Sequence, residues 1–124
     1  MTTEEAIKGI LKHREIIHQK KQWDNPVQLS ETMLKIATYN AYLADTIAER
    51  HKEATQGYLT AYKAARDMEA TIGDSESLAK GESLDKRTQY ENVKYIYGAT
   101  DKLLSTMQTH LRTIENQIMR EGQQ

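Results

Sequence analysis

Cysteine and phenylalanine are absent from this sequence of 124 residues, and proline occurs once, at Pro26. The absence of cysteine excludes disulfide bonds, thiolate metal sites and a cysteine nucleophile. Long apolar runs are also missing. No stretch approaches the roughly 18 apolar residues of a membrane span, and the start MTTEEAIKGI lacks the apolar segment of a secretory signal. We therefore expect a cytoplasmic protein without a membrane partner.

The low apolar content indicates the fold class. Only 38% of the residues are hydrophobic and the mean hydropathy is -0.77, so a single domain of this size has a thin core. Alanine, glutamate, lysine, glutamine and leucine are plentiful, which favours long solvated helices and leaves few β-branched runs for a sheet. We predict an all-α protein that forms one domain over residues 1–124.

The most regular pattern in the chain is an apolar seam near its C-terminal end. Its members are spaced alternately three and four residues apart: Tyr90, Val93, Tyr97, Thr100, Leu104, Met107, Leu111, Ile114 and Ile118. This spacing is typical of a coiled-coil helix, and it predicts a helix over about residues 84–120. A single subunit would leave such a stripe uncovered. We therefore predict a homo-oligomer with the eight apolar members of the seam at its interface.

Capping residues mark two helix starts. Thr2 and Glu5 have the spacing of a capping box, and the apolar face that follows predicts a first helix over about residues 3–21. Asn25 can cap a second helix with its side-chain oxygen. Pro26 fits the first position of that helix and disfavours continuation of the helix before it. Since no further proline follows, the second helix is predicted to run over about residues 26–72.

The long second helix has a near-heptad seam with two polar members, Asn40 and Arg50. A polar residue at a seam position can fix the register or the oligomeric state. Alternatively, the helix is rotated so that both side chains face water. A kink near Gly57 is another alternative, because a glycine inside a helix costs about 1 kcal/mol relative to alanine.

Residues 73–83 separate the two long helices and are predicted to be a mobile loop. The segment contains glycine, serine and acidic residues, and it lacks apolar periodicity. Residues 74–85 hold four acidic side chains and one basic one, whereas the segments at the two ends of the chain are mildly basic. The expected fold has three helices, two of them long and antiparallel, packed as an extended helical hairpin or bundle.

No motif for catalysis or metal binding is present. The four histidines, His13, His18, His51 and His110, form neither an H-E-x-x-H motif nor a pair four residues apart. The glycine patterns typical of phosphate-binding loops, dinucleotide sites and serine hydrolases are also missing. We expect a protein that is not an enzyme and has no metal, cofactor or small-molecule substrate.

Seven tyrosines and one tryptophan remain to be explained. Tyrosine can supply apolar area with a polar edge at helix seams and subunit interfaces. It can also stack on the bases of a single-stranded nucleic acid when it alternates with basic residues. The best such cluster consists of Tyr58, Tyr62, Lys63 and Arg66, with Asp67 and Glu69 among its neighbours.

The succession of motifs between Tyr39 and Glu115 adds a family resemblance. A long helix ends in YKAARD at residues 62–67, a break follows with GDS at residues 73–75, and YENVK at residues 90–94 precedes a long apolar helix. This order resembles the phage recombination mediators of the UvsY type, which are small all-α proteins. The resemblance implies a basic segment for single-stranded DNA at Lys63 and Arg66. In the family the arginine stands one position earlier, where this chain has Ala65.

The resemblance also implies a function. Members of that family form rings that load a recombinase onto single-stranded DNA displaced from its binding protein. The expected function is therefore that of a non-enzymatic accessory protein of phage-type DNA recombination. Its expected partners are single-stranded DNA and a recombinase or a single-stranded-DNA-binding protein, in the cytoplasm of a bacterial host. The alternative is a structural or adaptor protein, such as a phage assembly component, that binds only protein partners.

Overall fold

The computed structural model describes residues 1–19 and 22–122, and every regular element in that part of the chain is a helix. The α-helices are α1 (Thr3–Gln19), α2 (Pro26–Asp67), α3 (Ile72–Glu82) and α4 (Leu84–Gly122), with a short 3-10 helix over Gln22–Asp24. The all-α prediction is confirmed. The predicted number of three helices is wrong, because the described residues form four α-helices.

The predicted caps of the first two helices are confirmed. The Glu5 backbone N–H donates to Thr2 Oγ1 over 3.2 Å, and the Gln28 N–H donates to Asn25 Oδ1 over 3.1 Å. Each cap satisfies one of the backbone donors that a helix start leaves unpaired. The predicted end of the first helix at Lys21 lies outside the described residues.

Helix α2 ends at Asp67, five residues before the predicted end. The chain leaves the helix through Glu69, which has a left-handed φ of 66°. The Ala70 N–H donates to the Ala65 carbonyl over 3.1 Å and the Glu69 N–H to the Arg66 carbonyl over 3.0 Å. These are the two bonds of a Schellman motif, in which glycine usually takes the left-handed position. The sequence gives no glycine signal here, which explains the misplaced boundary.

The prediction of a mobile loop over residues 73–83 is wrong, because most of this segment belongs to α3. Thr71 caps the helix by accepting the Asp74 N–H at its Oγ1 over 3.1 Å. One turn apart, Ser75 and Ala79 are both completely buried. A good cap and a narrow face of small buried residues therefore outweigh the low helix propensity of the segment.

A single residue, Ser83, separates α3 from α4. Its hydroxyl donates to the Ala79 carbonyl over 2.7 Å, and its own carbonyl accepts the Arg87 N–H over 3.0 Å. A serine that bonds back to the preceding turn commonly bends a helix. The turn between α2 and α3 lies instead at residues 68–71.

The chain divides into two compact units. The first unit comprises Met1–Ala44 and Ile96–Gln124, so it combines α1, the beginning of α2 and most of α4. Large apolar side chains dominate its buried core, which contains Ala6, Ile10, Ile17, Leu29, Ile36, Leu43, Met107 and Ile114. This unit is a three-helix bundle with a conventional aliphatic interior.

The second unit, Asp45–Tyr95, combines the rest of α2, α3 and the beginning of α4. Its buried residues are mostly small, namely Thr46, Ala54, Ala61, Ala65, Ser75, Ala79, Ser83 and Val93. Along α2 the residue numbers rise while those of the contacting α4 residues fall: Arg50 bonds to Gln89, and Gly57 lies next to Lys86. The two helices are therefore antiparallel here, as predicted, and α2 passes through Gly57 without interruption.

Both polar members of the α2 seam bond to α4. Asn40 is buried, and its Nδ2 donates to the Tyr97 carbonyl over 3.4 Å. The Arg50 guanidinium donates to the Gln89 side chain. For the buried Asn40 this contact rules out the alternative that the side chain faces water, whereas Arg50 is half-buried and its hydrogen bond is exposed.

The α4 seam packs largely inside its own chain. Val93, Met107 and Ile114 are buried within this single subunit, whereas Ile118 is 52% exposed. The other apolar members of the seam, Tyr90, Tyr97, Leu104 and Leu111, are half-buried. The seam therefore does not by itself require a second subunit, and the homo-oligomer stays a prediction.

Candidate nucleic-acid interface

Tyr58 and Tyr62 form a stacked pair on α2 in the second unit. Their ring centroids are 6.3 Å apart and the ring planes are inclined by 14°. The stacking follows from their separation of four residues, which places both side chains on the same side of a helix. Both residues are half-buried, so part of each ring remains accessible to a ligand. A flat, partly exposed pair of this kind can continue as a stack with the bases of a single strand.

The two basic residues of the predicted cluster lie on different faces. Arg66 is exposed and follows Tyr62 by one turn on the same side, where its guanidinium donates to the Ala70 carbonyl over 3.0 Å. Lys63 is also exposed, but it comes directly after Tyr62 and its side chain therefore leaves the helix about 100° further round. The structure thus brings three of the four predicted residues together and places Lys63 on the adjoining surface.

A groove of about 280 Å³ lies between α2 and α4 in the second unit, and Tyr58 forms part of its wall. The lining residues are His51, Ala54, Thr55, Tyr58, Leu59, Ser83, Arg87, Tyr90 and Glu91. The groove therefore combines aromatic rings with a guanidinium, a carboxylate and hydroxyl groups.

A second aromatic pair, from opposite helices, also borders this groove. The rings of His51 and Tyr90 are 4.9 Å apart and tilted by 55°. The ammonium of Lys94 lies 5.7 Å from the centre of the Tyr90 ring, in a cation–π arrangement. His51 precedes Tyr58 by two turns, which is about 10 Å along α2. We call the two aromatic pairs, with Arg66, Arg87 and Lys94, the stacking face.

The stacking face contains charges of both signs, because Asp67 and Glu69 lie next to Arg66 in the sequence. Arg87 is half-buried, and its guanidinium forms no ion pair with any residue that the structure describes. Glu91 lies in the same groove and offsets part of this charge. Sequence reasoning missed Arg87 and Lys94 and assigned Tyr90 to a subunit interface. The helical spacing from Arg87 to Tyr90 and then to Lys94 was the available signal.

The opposite side of the same two helices has a different character. A groove of about 500 Å³ there is lined by Glu53, Gln56, Gly57, Thr60, Ala61, Ala64, Glu82 and Lys86. Two carboxylates and no aromatic ring are among these residues. Of these two grooves, the one in the stacking face combines flat rings with a guanidinium, the groups that contact the bases and the phosphates of a single strand.

The histidines add no metal site among the residues described. No group of three or more histidine, aspartate or glutamate side chains in that part of the chain is placed to hold a metal ion. His110 instead lies 3.2 Å from Asp24 and meets the edge of Trp23 with ring centroids 5.8 Å apart. Within the same described ranges, no helix is long and apolar enough to cross a membrane.

Comparison with known proteins leaves the function to be argued from this geometry. No protein-family model, no curated protein and no solved structure matches the chain. The resemblance to UvsY-type mediators therefore rests on the succession of sequence motifs alone.

Proposed function

We propose that the protein is a non-enzymatic accessory protein of phage-type DNA recombination that binds single-stranded DNA through the stacking face. The observation that carries this proposal is the stacked pair of Tyr58 and Tyr62 beside a groove that contains Arg87, which forms no ion pair with another described residue. Stacked rings recognise the flat faces of bases, which a single strand exposes and a duplex hides. Each stacked base contributes about 1–3 kcal/mol irrespective of sequence.

The charge of the chain favours weak binding by one copy. Arg66, Arg87, Lys94 and the adjoining Lys63 offer phosphate contacts, but Glu91 lies among them and the net charge is -1. A strand held by several copies gains avidity, because each further contact is intramolecular. We therefore include a homo-oligomer in the proposal. Ile118 is the seam residue best placed for the subunit interface, because it is exposed in the single subunit. Loading of a recombinase is supported by the family resemblance alone.

Variants of the stacking face test the proposal. The double substitution Tyr58→Ala and Tyr62→Ala should lower the affinity for a labelled single strand about tenfold or more, with little change in its salt dependence. Arg87→Ala should lower the affinity and also reduce the slope of log K against log salt by about 1, because one phosphate contact is lost. Tyr95→Ala is the matched control, since Tyr95 is 77% exposed and takes part in neither aromatic pair. Binding by the double variant that equals wild type would refute this assignment.

A second candidate function, that of an adaptor for protein partners, is favoured by one observation in the first unit. A groove of about 570 Å³ there is lined by Leu11, Arg14, Glu15, His18, Trp23 and Leu103, and Leu11 is 53% exposed. Exposed apolar side chains with a polar rim are typical of protein-binding surfaces. Loss of a protein partner on Leu11→Asp, together with no binding of single-stranded DNA, would favour the adaptor.

A further inference from the structure

Three basic residues meet on α1 and α2 in the first unit, and neither the sequence motifs nor the stacking face includes them. Lys12 and His13 are neighbours on α1, and the His13 ring stacks on Tyr39 of α2 with centroids 6.0 Å apart and planes inclined by 25°. Lys35 precedes Tyr39 by one turn and therefore lies on the same side of α2. Lys12 and Lys35 are exposed, while His13 and Tyr39 are half-buried.

His13 has two lysines as neighbours: Lys12 precedes it on α1, and Lys35 lies one turn before its stacking partner Tyr39 on α2. Burial lowers the pKa of His13 below its ordinary value of 6.5, and repulsion from Lys35 and from Lys12 lowers it further. Neither lysine forms an ion pair with a carboxylate in the part of the chain that the structure describes. A free cluster of this kind attracts an anion, because an anion would relieve the repulsion among the three side chains.

We propose that Lys12, His13 and Lys35 form a binding site for a phosphate group, supplied by the backbone of a single-stranded DNA. The inference rests on the proposed function for the source of the phosphate. Lysine ammonium groups bind phosphate as point charges, and a protonated imidazole adds a further charged donor. The His13 ring stacks on Tyr39, and the position of Tyr39 is fixed because its ring lies against the backbone of Gly9.

The proposed site makes DNA binding depend on pH. A phosphate beside His13 favours the protonated imidazole and raises its pKa, so the complex binds more protons than the free protein. Affinity must then increase as the pH falls from about 7.5 toward 5.5. The groups that face His13 are Lys12 on α1 and Lys35 and Tyr39 on α2. Of these residue types, only histidine has an ordinary pKa near this range.

Nuclear magnetic resonance titration of His13 tests the site directly. The pKa of His13 should lie below 6.5 in the free protein and should rise when a single strand of about 30 nucleotides is added. The affinity of the wild type should increase severalfold between pH 7.5 and pH 5.5, and His13→Gln should reduce that increase. His18→Gln, at an exposed position of α1, is the control and should leave the increase as large as in the wild type.

The lysines are tested by the double substitution Lys12→Gln and Lys35→Gln. It should weaken DNA binding and lower the slope of log K against log salt by about 2. Lys102 is an exposed lysine of α4, and Lys102→Gln should change the affinity and the slope less. DNA binding that depends on Tyr58 and Tyr62 but leaves the pKa of His13 unchanged would overturn this inference alone. A wild type that binds no single strand would overturn the proposed function. If the pKa of His13 rises with inorganic pyrophosphate but not with a single strand, the ligand of the site is a free phosphate compound and DNA is overturned as its source.

Discussion

The ring of Tyr39 lies so close to the backbone of Gly9 that a Cβ atom on residue 9 would be 2.5 Å from Tyr39 Cζ. Side-chain carbon atoms do not approach to this distance, so α1 and α2 can pack in this way only with glycine at this position. The same Tyr39 ring stacks on His13, so this one side chain of α2 contacts two residues of α1.

Gly9→Ala should therefore destabilise the protein. Alanine improves helix propensity by about 1 kcal/mol, but overpacking costs about 1–3 kcal/mol, so we expect a net loss of about 1 kcal/mol in the free energy of unfolding. Gly98→Ala is the matched control, because no atom lies within 4 Å of the added Cβ, and it should gain about 1 kcal/mol. Urea denaturation measures the free energy of unfolding of both variants. An equal gain at the two positions would contradict the packing of Tyr39 on Gly9.

Glu69→Gly should stabilise the turn that ends α2. Glu69 has a φ of 66°, and the left-handed conformation costs a residue with a side chain roughly 1–2 kcal/mol. Glycine removes this cost, and we expect the free energy of unfolding to rise by about 1 kcal/mol. Glu69→Ala keeps the unfavourable φ and should change little. A loss of stability in Glu69→Gly would show that the Schellman turn does not form as described.

The lowered pKa of His13 predicts a dependence of stability on pH. The folded value lies below the ordinary 6.5, because of burial and the neighbouring lysines, so the unfolded state binds more protons just below pH 6.5. Stability should therefore be complete above that pH and should fall as the pH drops toward the folded value. His13→Gln should flatten this decline, whereas His18→Gln, on an exposed position of α1, should not. Thermal melts between pH 5 and 7.5 provide the measurement.

Two substitutions on the α4 seam separate folding from assembly. Met107 is 1% exposed, so Met107→Asp should unfold the chain by burying an unpaired charge. Ile118 is 52% exposed, and Ile118→Asp should leave the helical content intact while lowering the mass of the homo-oligomer measured by light scattering. A wild-type mass equal to one chain at tens of micromolar protein would remove the oligomer from this account.

Local signals predicted the parts of the fold that depend on a few neighbouring residues. The caps at Thr2 and Asn25 were foreseen because each bond spans only three residues. The cap of α3 is equally local, since Thr71 and Asp74 have the spacing of a capping box. Gly73 and the acidic residues of the segment favour a loop, but the cap and the buried Ser75 and Ala79 outweigh them.

Relationships between distant residues were harder to foresee. The spacing of the α4 seam correctly predicted a packed helix. The spacing does not show whether the seam packs against helices of its own chain or against a second subunit. Arg87 reaches the groove beside Tyr58 only because α2 and α4 are antiparallel, a relationship that no local pattern contains. Lys63 is a local case by contrast, because it directly follows Tyr62 and a rotation of about 100° per residue already places it on another face of the predicted helix.

Fluorescence anisotropy with a labelled single strand of several tens of nucleotides measures whether the protein binds single-stranded DNA. The wild-type protein should bind this strand at low salt and release it as the salt concentration rises, because phosphate contacts release counterions. An unlabelled single strand should compete well, and a duplex of the same length should compete poorly, because its bases are hidden from Tyr58 and Tyr62. No binding at low salt, or equal competition by the duplex, would contradict the account.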